Sequence, residues 1–272
     1  MRYLINYANE NYRSAQKLNT WSARIIARFD RIIEYSDKDI DGDFYCKNKR
    51  ILDIKRGNGL WLWKPYIIEK TLRNVSDGDI VFYCDSGAYF HRYPKELWTI
   101  MESIDFWIAE LPLVEYQFTK KSVLDKYDVS GKFRNSPQYQ AGFMCIKKNE
   151  KNMQIIREWL DACQEIDMIK PENSMKNECT EFISHREDQS LLSLILKKNG
   201  IPGHQDPTQY IRFPELYWRK FEEKIVRCNP QAGEYKPFII LHRRKKISVK
   251  ILAMPFYYFC LPKTMVLRLT RR

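Results

Sequence analysis

Short runs of apolar residues recur along the chain at lengths typical of β-strands. They predict strands at residues 3–7, 31–35, 80–84, 106–109, 143–146 and 238–241. The run at residues 80–84 is apolar throughout, which is typical of a strand buried on both faces of a parallel sheet. We therefore expect this strand near the centre of the sheet.

Between these runs, apolar residues recur at spacings of three and four, which predict amphipathic helices. We expect Ser14 to cap the first helix. The predicted buried positions of that helix are Ala15, Leu18, Trp21, Ile25, Ile26 and Phe29. Another helix has Pro65 just inside its start, where the missing N–H is harmless, and stops near Asn74. Strand, helix and strand at the start of the chain predict a parallel sheet and an α/β fold.

Two further helices are predicted in the second half of the chain. One covers residues 153–163. The other begins where Ser184 and Glu187 have the spacing of a capping box. That start places Asp188 and Gln189 in the first helical turn.

The composition is that of a folded protein from a reducing compartment. Of 272 residues, 44% are hydrophobic and 14% aromatic, which is enough apolar material to offset the entropy of ordering. This length fits one large α/β domain or two small ones. Seven cysteines stand singly without a CxxC pair, which argues against a disulfide framework or a zinc knuckle. The chain reaches Asn6 and Asn9 before any apolar stretch as long as a signal-peptide core, so we expect a cytoplasmic location.

Basic residues outnumber acidic ones by 46 to 34, which gives a formal charge of +12. This excess favours polyanionic partners: nucleic acid, acidic lipid headgroups or phosphate-bearing small molecules. One interpretation is a nucleic-acid-binding module that uses the basic surplus and the aromatic residues. However, the sequence has no recognisable motif that reads RNA or DNA, and its positive residues are spread along the chain. We therefore expect partners other than nucleic acid.

Asp85 follows the apolar run at residues 80–84, at the edge where open α/β sheets bind ligands. A carboxylate there serves as a phosphatase nucleophile or as a ligand of a divalent metal that carries a nucleotide diphosphate. The phosphatase mechanism needs a second acid two residues later, where this chain has Gly87. The lack of a second acid affects a metal site less, because phosphate oxygens and a later protein ligand can complete the coordination of the metal. In a third interpretation, Asp85 only ends the strand.

Residues 56–66 and 77–87 resemble segments of bacterial glycosyltransferases that make surface polysaccharides, such as capsule and lipopolysaccharide. Residues 141–142, 185–190 and 242–244 continue the likeness in the same order. The resemblance covers residues 3–246 and implies a single domain at 1–246 with the nucleotide-diphosphosugar transferase (GT-A) fold. That fold has a Rossmann-like, mostly parallel central sheet flanked by helices. The implied reaction moves a hexose from a nucleotide diphosphate sugar, with a UDP-sugar expected, to a lipid-linked or polysaccharide acceptor.

The resemblance also implies the site residues. Asp188 and Gln189 match an Asp-Gln pair that borders the donor sugar and the reacting centre, which makes them the implied catalytic residues. Asp188 then binds sugar hydroxyls or acts as a base or nucleophile, and the likeness favours retention of the anomeric configuration. Alternatively, Asp188 is an acid favoured by the helix dipole. The implied nucleotide-sugar-binding residues are Asn6, Tyr7, Lys55, Arg56, Asp85, Ser86, Gly87, Gln140, Ala141, Gly142 and Arg243.

A divalent metal, expected to be manganese, is also implied by the resemblance. Residues 83–87 occupy the place of a Tyr-x-Asp-x-Asp segment whose acids hold the metal and the ribose, with Asp85 as the first acid and Gly87 in place of the last. His242 matches a late histidine that completes the metal site, and a neutral imidazole suits manganese. His242 is otherwise a structural residue at a strand end. Because Gly87 replaces an acid, an inactive relative that serves as a membrane scaffold is a further alternative.

The last part of the chain, residues 247–272, differs in character from the rest. A basic cluster at residues 243–246 precedes an apolar and aromatic run at 251–262, and Arg268, Arg271 and Arg272 follow. The run is shorter than the roughly 20 residues that span a bilayer, and aromatics flanked by cations suit an interfacial contact. We therefore expect the tail to bind the inner face of the cell membrane. The competing interpretations are a segment packed on the domain and an oligomer contact.

Overall fold

A computed structural model describes residues 1–171, 178–219, 221 and 224–270, so Arg271 and Arg272 lie outside the described residues. Its strands are β1 (Arg2–Tyr7), β2 (Arg31–Tyr35), β3 (Ile80–Cys84), β4 (Ala88–Phe90), β5 (Phe106–Val114), β6 (Pro137–Lys147) and β7 (Ile239–Leu241). The helices that precede β7 are α1 (Arg13–Ile25), α2 (Gly42–Leu52), α3 (Gly57–Leu60), α4 (Trp63–Asn74), α5 (Lys95–Ser103), α6 (Glu115–Phe118), α7 (Lys121–Tyr127), α8 (Glu150–Gln164), α9 (Ile166–Ile169), α10 (Glu187–Lys198) and α11 (Glu215–Trp218). The helices that follow β7 are α12 (Val249–Leu252), α13 (Met254–Cys260) and α14 (Lys263–Leu269).

The central sheet has five strands in the order β2-β1-β3-β6-β5. β1 pairs in parallel with β2 and with β3, whereas β6 is antiparallel to both β3 and β5. All strands of this sheet except β6 therefore run in one direction, which confirms the predicted mostly parallel α/β sheet. β4 and β7 form a separate antiparallel pair.

β3 lies at the centre of the sheet and is buried on both faces, as its sequence predicts. Val81 and Tyr83 point into the hydrophobic cluster that α4, α8 and α10 build on one face. Phe82 and Cys84 point into the cluster on the other face, where α1 and α5 pack. Because successive side chains of a strand alternate between faces, only a continuously apolar run satisfies both clusters.

The predicted buried face of α1 is only partly correct, because Ala15 is buried but two of the large apolar residues are not. Trp21 and Ile25 are 54% and 57% exposed, whereas the polar residues Gln16 and Asn19 are buried. Gln16 Nε2 donates to Asn6 Oδ1 at 2.9 Å, and Asn6 Nδ2 donates to Asn19 Oδ1 at 2.8 Å. Burying an amide group costs free energy unless the group is hydrogen-bonded. Here Asn6 accepts a hydrogen bond from Gln16 and donates one to Asn19, so the three amides satisfy one another. This network turns the polar face of α1 inward.

The predicted capping box at Ser184 is also wrong. α10 begins at Glu187, and Arg186 is its capping residue. The backbone N–H of Arg186 donates to Ser190 Oγ at 2.9 Å. Glu187 has a φ of 43°, in the left-handed region, so the chain bends where the box would need a regular helix start. Asp188 still falls in the first turn, as predicted.

β6 is longer than the sequence predicts, because it begins at Pro137. The segment Gln140, Ala141 and Gly142 therefore lies inside the strand rather than before it. The backbone carbonyl of Gly142 accepts the N–H of Asp85 at 2.9 Å, which ties β6 to the end of β3. This contact places the backbone of β6 next to the carboxylate that follows β3.

The tail packs on the domain through one apolar face. Ile251, Tyr258 and Val266 bury themselves against Tyr89 and Phe213. In addition, the Arg212 guanidinium donates to the Tyr258 carbonyl at 2.7 Å. In the described part of the chain, no helix combines the length and the apolar character that a membrane crossing needs.

Candidate active site

A cavity of about 810 Å³ opens at the carboxyl ends of β1 and β3. This is the sheet edge where open α/β folds bind ligands, and the volume suits a small molecule. The wall is formed by residues within 7–12, 55–64, 83–87, 140–142, 186–189 and 241–245. Segments far apart in sequence meet here because the parallel strands end at one edge.

Most of the site residues predicted from the sequence line this one cavity. They are Tyr7, Lys55, Arg56, Asp85, Ser86, Gly87, Gln140, Ala141, Gly142, Asp188, Gln189 and Arg243. Asn6 is fully buried within the α1 network, so it supports β1 from behind. His242 is 5% exposed; its Nδ1 accepts the Arg244 N–H at 3.0 Å, and its ring lies 6.1 Å from that of Tyr89. Burial lowers the pKa of His242 to about 4, so its imidazole is neutral at pH 7. His242 is not among the residues that line the cavity.

Asp85 faces the cavity from the end of β3. Its carboxylate accepts the Tyr83 hydroxyl at 2.6 Å, and its Oδ1 lies 3.8 Å from Lys64 Nζ. The Asp85 side chain is 41% exposed, which leaves its carboxylate open to a ligand. A Cβ atom at Gly142 would lie 3.1 Å from Asp85 Oδ2, so a glycine is what lets β6 approach this carboxylate.

Asp188 and Lys64 form a buried ion pair at the floor of the cavity. Lys64 Nζ lies 3.0 Å from Asp188 Oδ2, and both side chains are about 5% exposed or less. Burial raises the pKa of Asp188 to about 7, against the opposing effect of the Lys64 ammonium. Burial alone would lower the pKa of Lys64, but Asp188 and Asp85 together hold it above its usual value. The ammonium therefore bridges two carboxylates that arrive from different elements.

Gln189 joins α10 to β6 through both ends of its amide. Its Oε1 accepts the Ala141 N–H at 3.3 Å, and its Nε2 donates to Gln138 Oε1 at 2.7 Å. This geometry makes Gln189 a residue that positions the start of α10 and the neighbouring Asp188.

The segment between α2 and α4 forms one wall of the cavity. Non-glycine residues here adopt left-handed backbone angles, with φ of 55° at Asn58 and 62° at Trp61. Asn58 Nδ2 donates to the Tyr7 hydroxyl at 2.5 Å, and the Tyr7 ring stacks on Trp63 at a centroid distance of 3.8 Å. Trp63 thus covers one face of the Tyr7 ring, a residue that the resemblance implies for nucleotide-sugar binding.

The cavity carries more positive than negative side chains. Its cationic residues are Lys55, Arg56, Lys64, Arg186, Arg243 and Lys245, and its acidic residues are Asp85, Glu187 and Asp188. Two of these cations are paired with acidic residues of the cavity wall. Lys64 contacts Asp85 and Asp188, and Arg56 donates to Glu187 at 2.5 Å. The remaining excess of positive charge in a crevice attracts anions.

The two residues that the sequence predicts for manganese are Asp85 and His242, and only one of them lines the cavity. Asp85 lies in the cavity beside an ammonium group, whereas His242 lies outside the cavity wall. Among the described residues, no group of three or more His, Cys, Asp and Glu side chains could hold a metal ion. The manganese site stays a prediction.

Sequence reasoning missed several wall residues, of which Lys64 is the most informative. Lys64 stands four residues before Ile68 and eight before Leu72, both fully buried positions of α4. A lysine on the buried stripe of a helix needs an internal anionic partner. The spacing of Lys64 from the apolar positions of α4 could therefore have identified it as a buried lysine. Tyr83, Arg186, Glu187 and Lys245 also line the cavity, and each lies within two positions of a residue that the sequence does single out.

Comparisons with known proteins identify the fold. Neither the known family models nor the curated proteins include a match to this sequence. Among solved structures, the apo form of mouse xyloside xylosyltransferase 1 superposes with a TM-score of 0.50 at 9% identity, over 89% of this chain and 97% of that one. The chain has a GT-A fold.

Two further solved structures match the GT-A chain. The apo glycosyltransferase GlyE of Streptococcus pneumoniae TIGR4 has a TM-score of 0.47 and 14% identity, over 98% of this chain and 62% of GlyE. The galactosyltransferase LgtC, solved with donor and acceptor sugar analogues, has a TM-score of 0.48 and 13% identity, over 88% of this chain and 86% of that one. The fold assignment rests on the xylosyltransferase, and at such identities the reaction has to be argued from the site.

Proposed function

We propose that this protein is a glycosyltransferase that moves a sugar from a nucleotide diphosphate sugar to an acceptor. One observation carries the proposal: in a GT-A fold, Asp85, Lys64 and Asp188 meet at the floor of a cavity whose rim is basic. Sugar transfer needs a nucleoside diphosphate that leaves as an anion and an anomeric carbon that becomes cationic. The two kinds of charge in this cavity match those two needs.

Each part of the cavity suits one part of the donor. Arg243 and Lys245 follow β7 and face the cavity, where they would attract the diphosphate. The carboxylates of Asp85 and Asp188 would accept sugar hydroxyls and stabilise positive charge at the anomeric carbon. Tyr7 ends β1 and Ala8 follows it, and the base of the nucleotide would bind beside these residues.

The finer proposal is transfer of a hexose from a UDP-sugar, with retention, to a lipid-linked or polysaccharide acceptor in surface-glycan synthesis. Its support is the resemblance of residues 56–66, 77–87 and 185–190 to the bacterial surface-polysaccharide enzymes. Asp188 and Gln189 lie in the first turn of α10 and line the cavity, where a sugar-binding or nucleophilic carboxylate would act.

A lipid-linked acceptor would place the enzyme at the inner face of the membrane. The tail supports this, because many of its large apolar side chains face outward. These exposed residues are Val249, Leu252, Phe256, Tyr257, Met265 and Leu269. The seven cysteines are all unpaired in the structure, which suits the cytoplasm.

The test is a screen of UDP-, GDP- and CMP-sugars by thermal shift, followed by transfer assays with the donor that binds. A ligand that binds only the native state raises the melting temperature. We expect Asp85→Ala to lose most transfer activity while its circular dichroism and melting temperature stay close to those of the wild type.

Asp77→Ala is the matched control, because Asp77 lies in the exposed turn before β3 and outside the cavity wall. It should retain wild-type activity. If calorimetry detects no nucleotide diphosphate binding with or without manganese, the proposed function is refuted. Donor binding without turnover would instead favour the inactive scaffold.

A further inference from the structure

The backbone of Arg243 packs closely against Gly87, the position where the resemblance implies a second acid. A Cβ atom at Gly87 would lie 3.2 Å from the Cα and 3.5 Å from the N of Arg243. The Gly87 carbonyl also accepts the backbone N–H groups of His242 and Arg243, each at 2.9 Å. The missing carboxylate is therefore replaced by the chain segment that follows β7.

That segment brings a positive side chain into the cavity. Arg243 lines the cavity and has a φ of 54°, in the left-handed region. Its guanidinium lies 5.5 Å from the Tyr210 ring and 5.8 Å from the Tyr217 ring. Such cation–π contacts hold the guanidinium in place without neutralising its charge. At this point a cation stands close to where the resemblance implies an anion.

A second cation of the same segment also faces the cavity. Lys245 lies 5.7 Å from the ring of Tyr12, and both residues line the cavity. Within the described residues, neither Arg243 nor Lys245 has an acidic side chain within 4.0 Å. Both charges are therefore available to an anionic ligand.

Lys64 occupies the space between the carboxylates that remain. Its ammonium lies 3.8 Å from Asp85 Oδ1 and 3.0 Å from Asp188 Oδ2. A divalent ion bound to Asp85 would lie a few ångströms from this buried ammonium. At that distance the repulsion between like charges is strong, because little water screens it.

We infer that Arg243 and Lys245 compensate the charge of the donor diphosphate, and that sugar transfer by this chain requires no divalent metal. This inference rests on the proposed function. Guanidinium and ammonium groups are standard partners of phosphate oxygens, and Arg243 can bind two oxygens of one phosphate.

The experiment compares the wild-type full chain in EDTA and in manganese chloride. Calorimetry measures the Kd for UDP, and a transfer assay with the donor found by the screen measures turnover. We expect Kd and kcat/KM to agree within about twofold between the two conditions, which is less than 0.5 kcal/mol. A loss of binding or turnover in EDTA that manganese restores would overturn the inference.

Charge variants test the same point independently. We expect Arg243→Ala to weaken UDP binding by about tenfold or more in EDTA, and Arg243→Lys to weaken it less. Arg244→Ala removes the same charge from the adjacent exposed residue, outside the cavity wall, and should bind UDP like the wild type. Equal effects of Arg243→Ala and Arg244→Ala would contradict a specific role for Arg243. If UDP and the nucleotide sugars fail to bind in both conditions, the proposed function itself fails.

Discussion

At the scale of single residues, the cavity depends on a lysine and an aspartate that share one buried ion pair. Taking a carboxylate out of water favours its neutral form, whereas a nearby ammonium favours the ionised form. For Asp188 the first effect is larger, and burial raises its pKa from an ordinary value near 4 to about 7. The protonation state of Asp188 therefore changes within the neutral pH range.

This predicts a pH dependence of sugar transfer. The ionised carboxylate is the form that accepts sugar hydroxyls or attacks the anomeric carbon, and it is populated above the pKa. We expect kcat/KM of the free enzyme to rise about tenfold per pH unit below pH 7 and to level off above it. Initial rates measured from about pH 5.5 to 8.5 provide the profile.

Two variants show whether Asp188 is the group that titrates. Asp77→Asn should keep the wild-type profile, because Asp77 is an exposed carboxylate outside the cavity wall. Asp188→Asn should lose most activity and show no rise near pH 7. A wild-type profile that is flat from about pH 6 to 8, or that falls above pH 7, would contradict this assignment.

A second readout follows from the linkage between protonation and folding. Because the pKa of Asp188 is higher in the folded than in the unfolded chain, the folded state binds this proton more tightly. The contribution of Asp188 to the free energy of unfolding therefore falls as pH rises from about 4 to about 7. Urea unfolding should show that this part of the pH dependence is missing in Asp188→Asn.

At the scale of elements, a buried ion pair between Lys197 of α10 and Glu115 of α6 anchors the helix that carries Asp188. Lys197 Nζ and Ser193 Oγ each donate to Glu115 Oε2 at 2.5 Å. Both charged side chains are 4% exposed or less. Gln138 donates to Glu115 Oε1 at 3.2 Å and accepts from Gln189, so the pair is connected to the wall of the cavity.

We expect Lys197→Met to destabilise the protein by about 3–5 kcal/mol, because it leaves the Glu115 carboxylate buried without its counter-charge. Glu115→Gln combined with Lys197→Met should recover part of this loss, since the remaining groups are neutral. Urea unfolding of the wild type, both single variants and the double variant forms a double-mutant cycle. If the effects of the single variants simply add, the two residues do not interact and the prediction fails.

Elements also show what the sequence could and could not predict. β3 was predictable because its continuously apolar run is typical of a strand that is buried on both faces of a sheet. The position of Asp85 was predictable because it follows the end of that strand, at the ligand-binding edge of the sheet. The inward face of α1 was not, because Gln16 and Asn19 are buried by partners on β1 that pairing alone brings close. The position of Lys64 likewise depends on Asp188, which a different element supplies.

At the scale of the whole molecule, the tail and the cavity are neighbours in sequence. Lys245 lines the cavity, and the exposed Val249 begins α12 four residues later, a reach of at most about 14 Å. A membrane that binds the outer face of the tail would therefore lie close to the mouth of the cavity. This arrangement suits an acceptor whose lipid stays in the membrane while its sugar enters the site.

The last prediction concerns this outer face. We expect the full chain to sediment with vesicles of phosphatidylglycerol and phosphatidylcholine, and to bind vesicles of phosphatidylcholine alone much more weakly. Apolar side chains contribute to insertion, and each lysine or arginine near an anionic surface adds about 1 kcal/mol. The lysines beside the apolar residues of the tail are Lys245, Lys246, Lys250 and Lys263. Raising the salt concentration should release much of the bound protein, because salt screens exposed charges.

Matched variants distinguish a membrane contact from the alternatives. Phe256 and Trp21 are similarly exposed aromatic residues, at 58% and 54%, but Trp21 lies on α1. We expect Phe256→Ser with Leu252→Ser to weaken vesicle binding by about tenfold, since less apolar area is buried in the bilayer. Trp21→Ser should leave binding unchanged. If both variants lose binding equally, or if the tail variant instead converts a dimer to a monomer in gel filtration, then the exposed face of the tail is not a membrane contact.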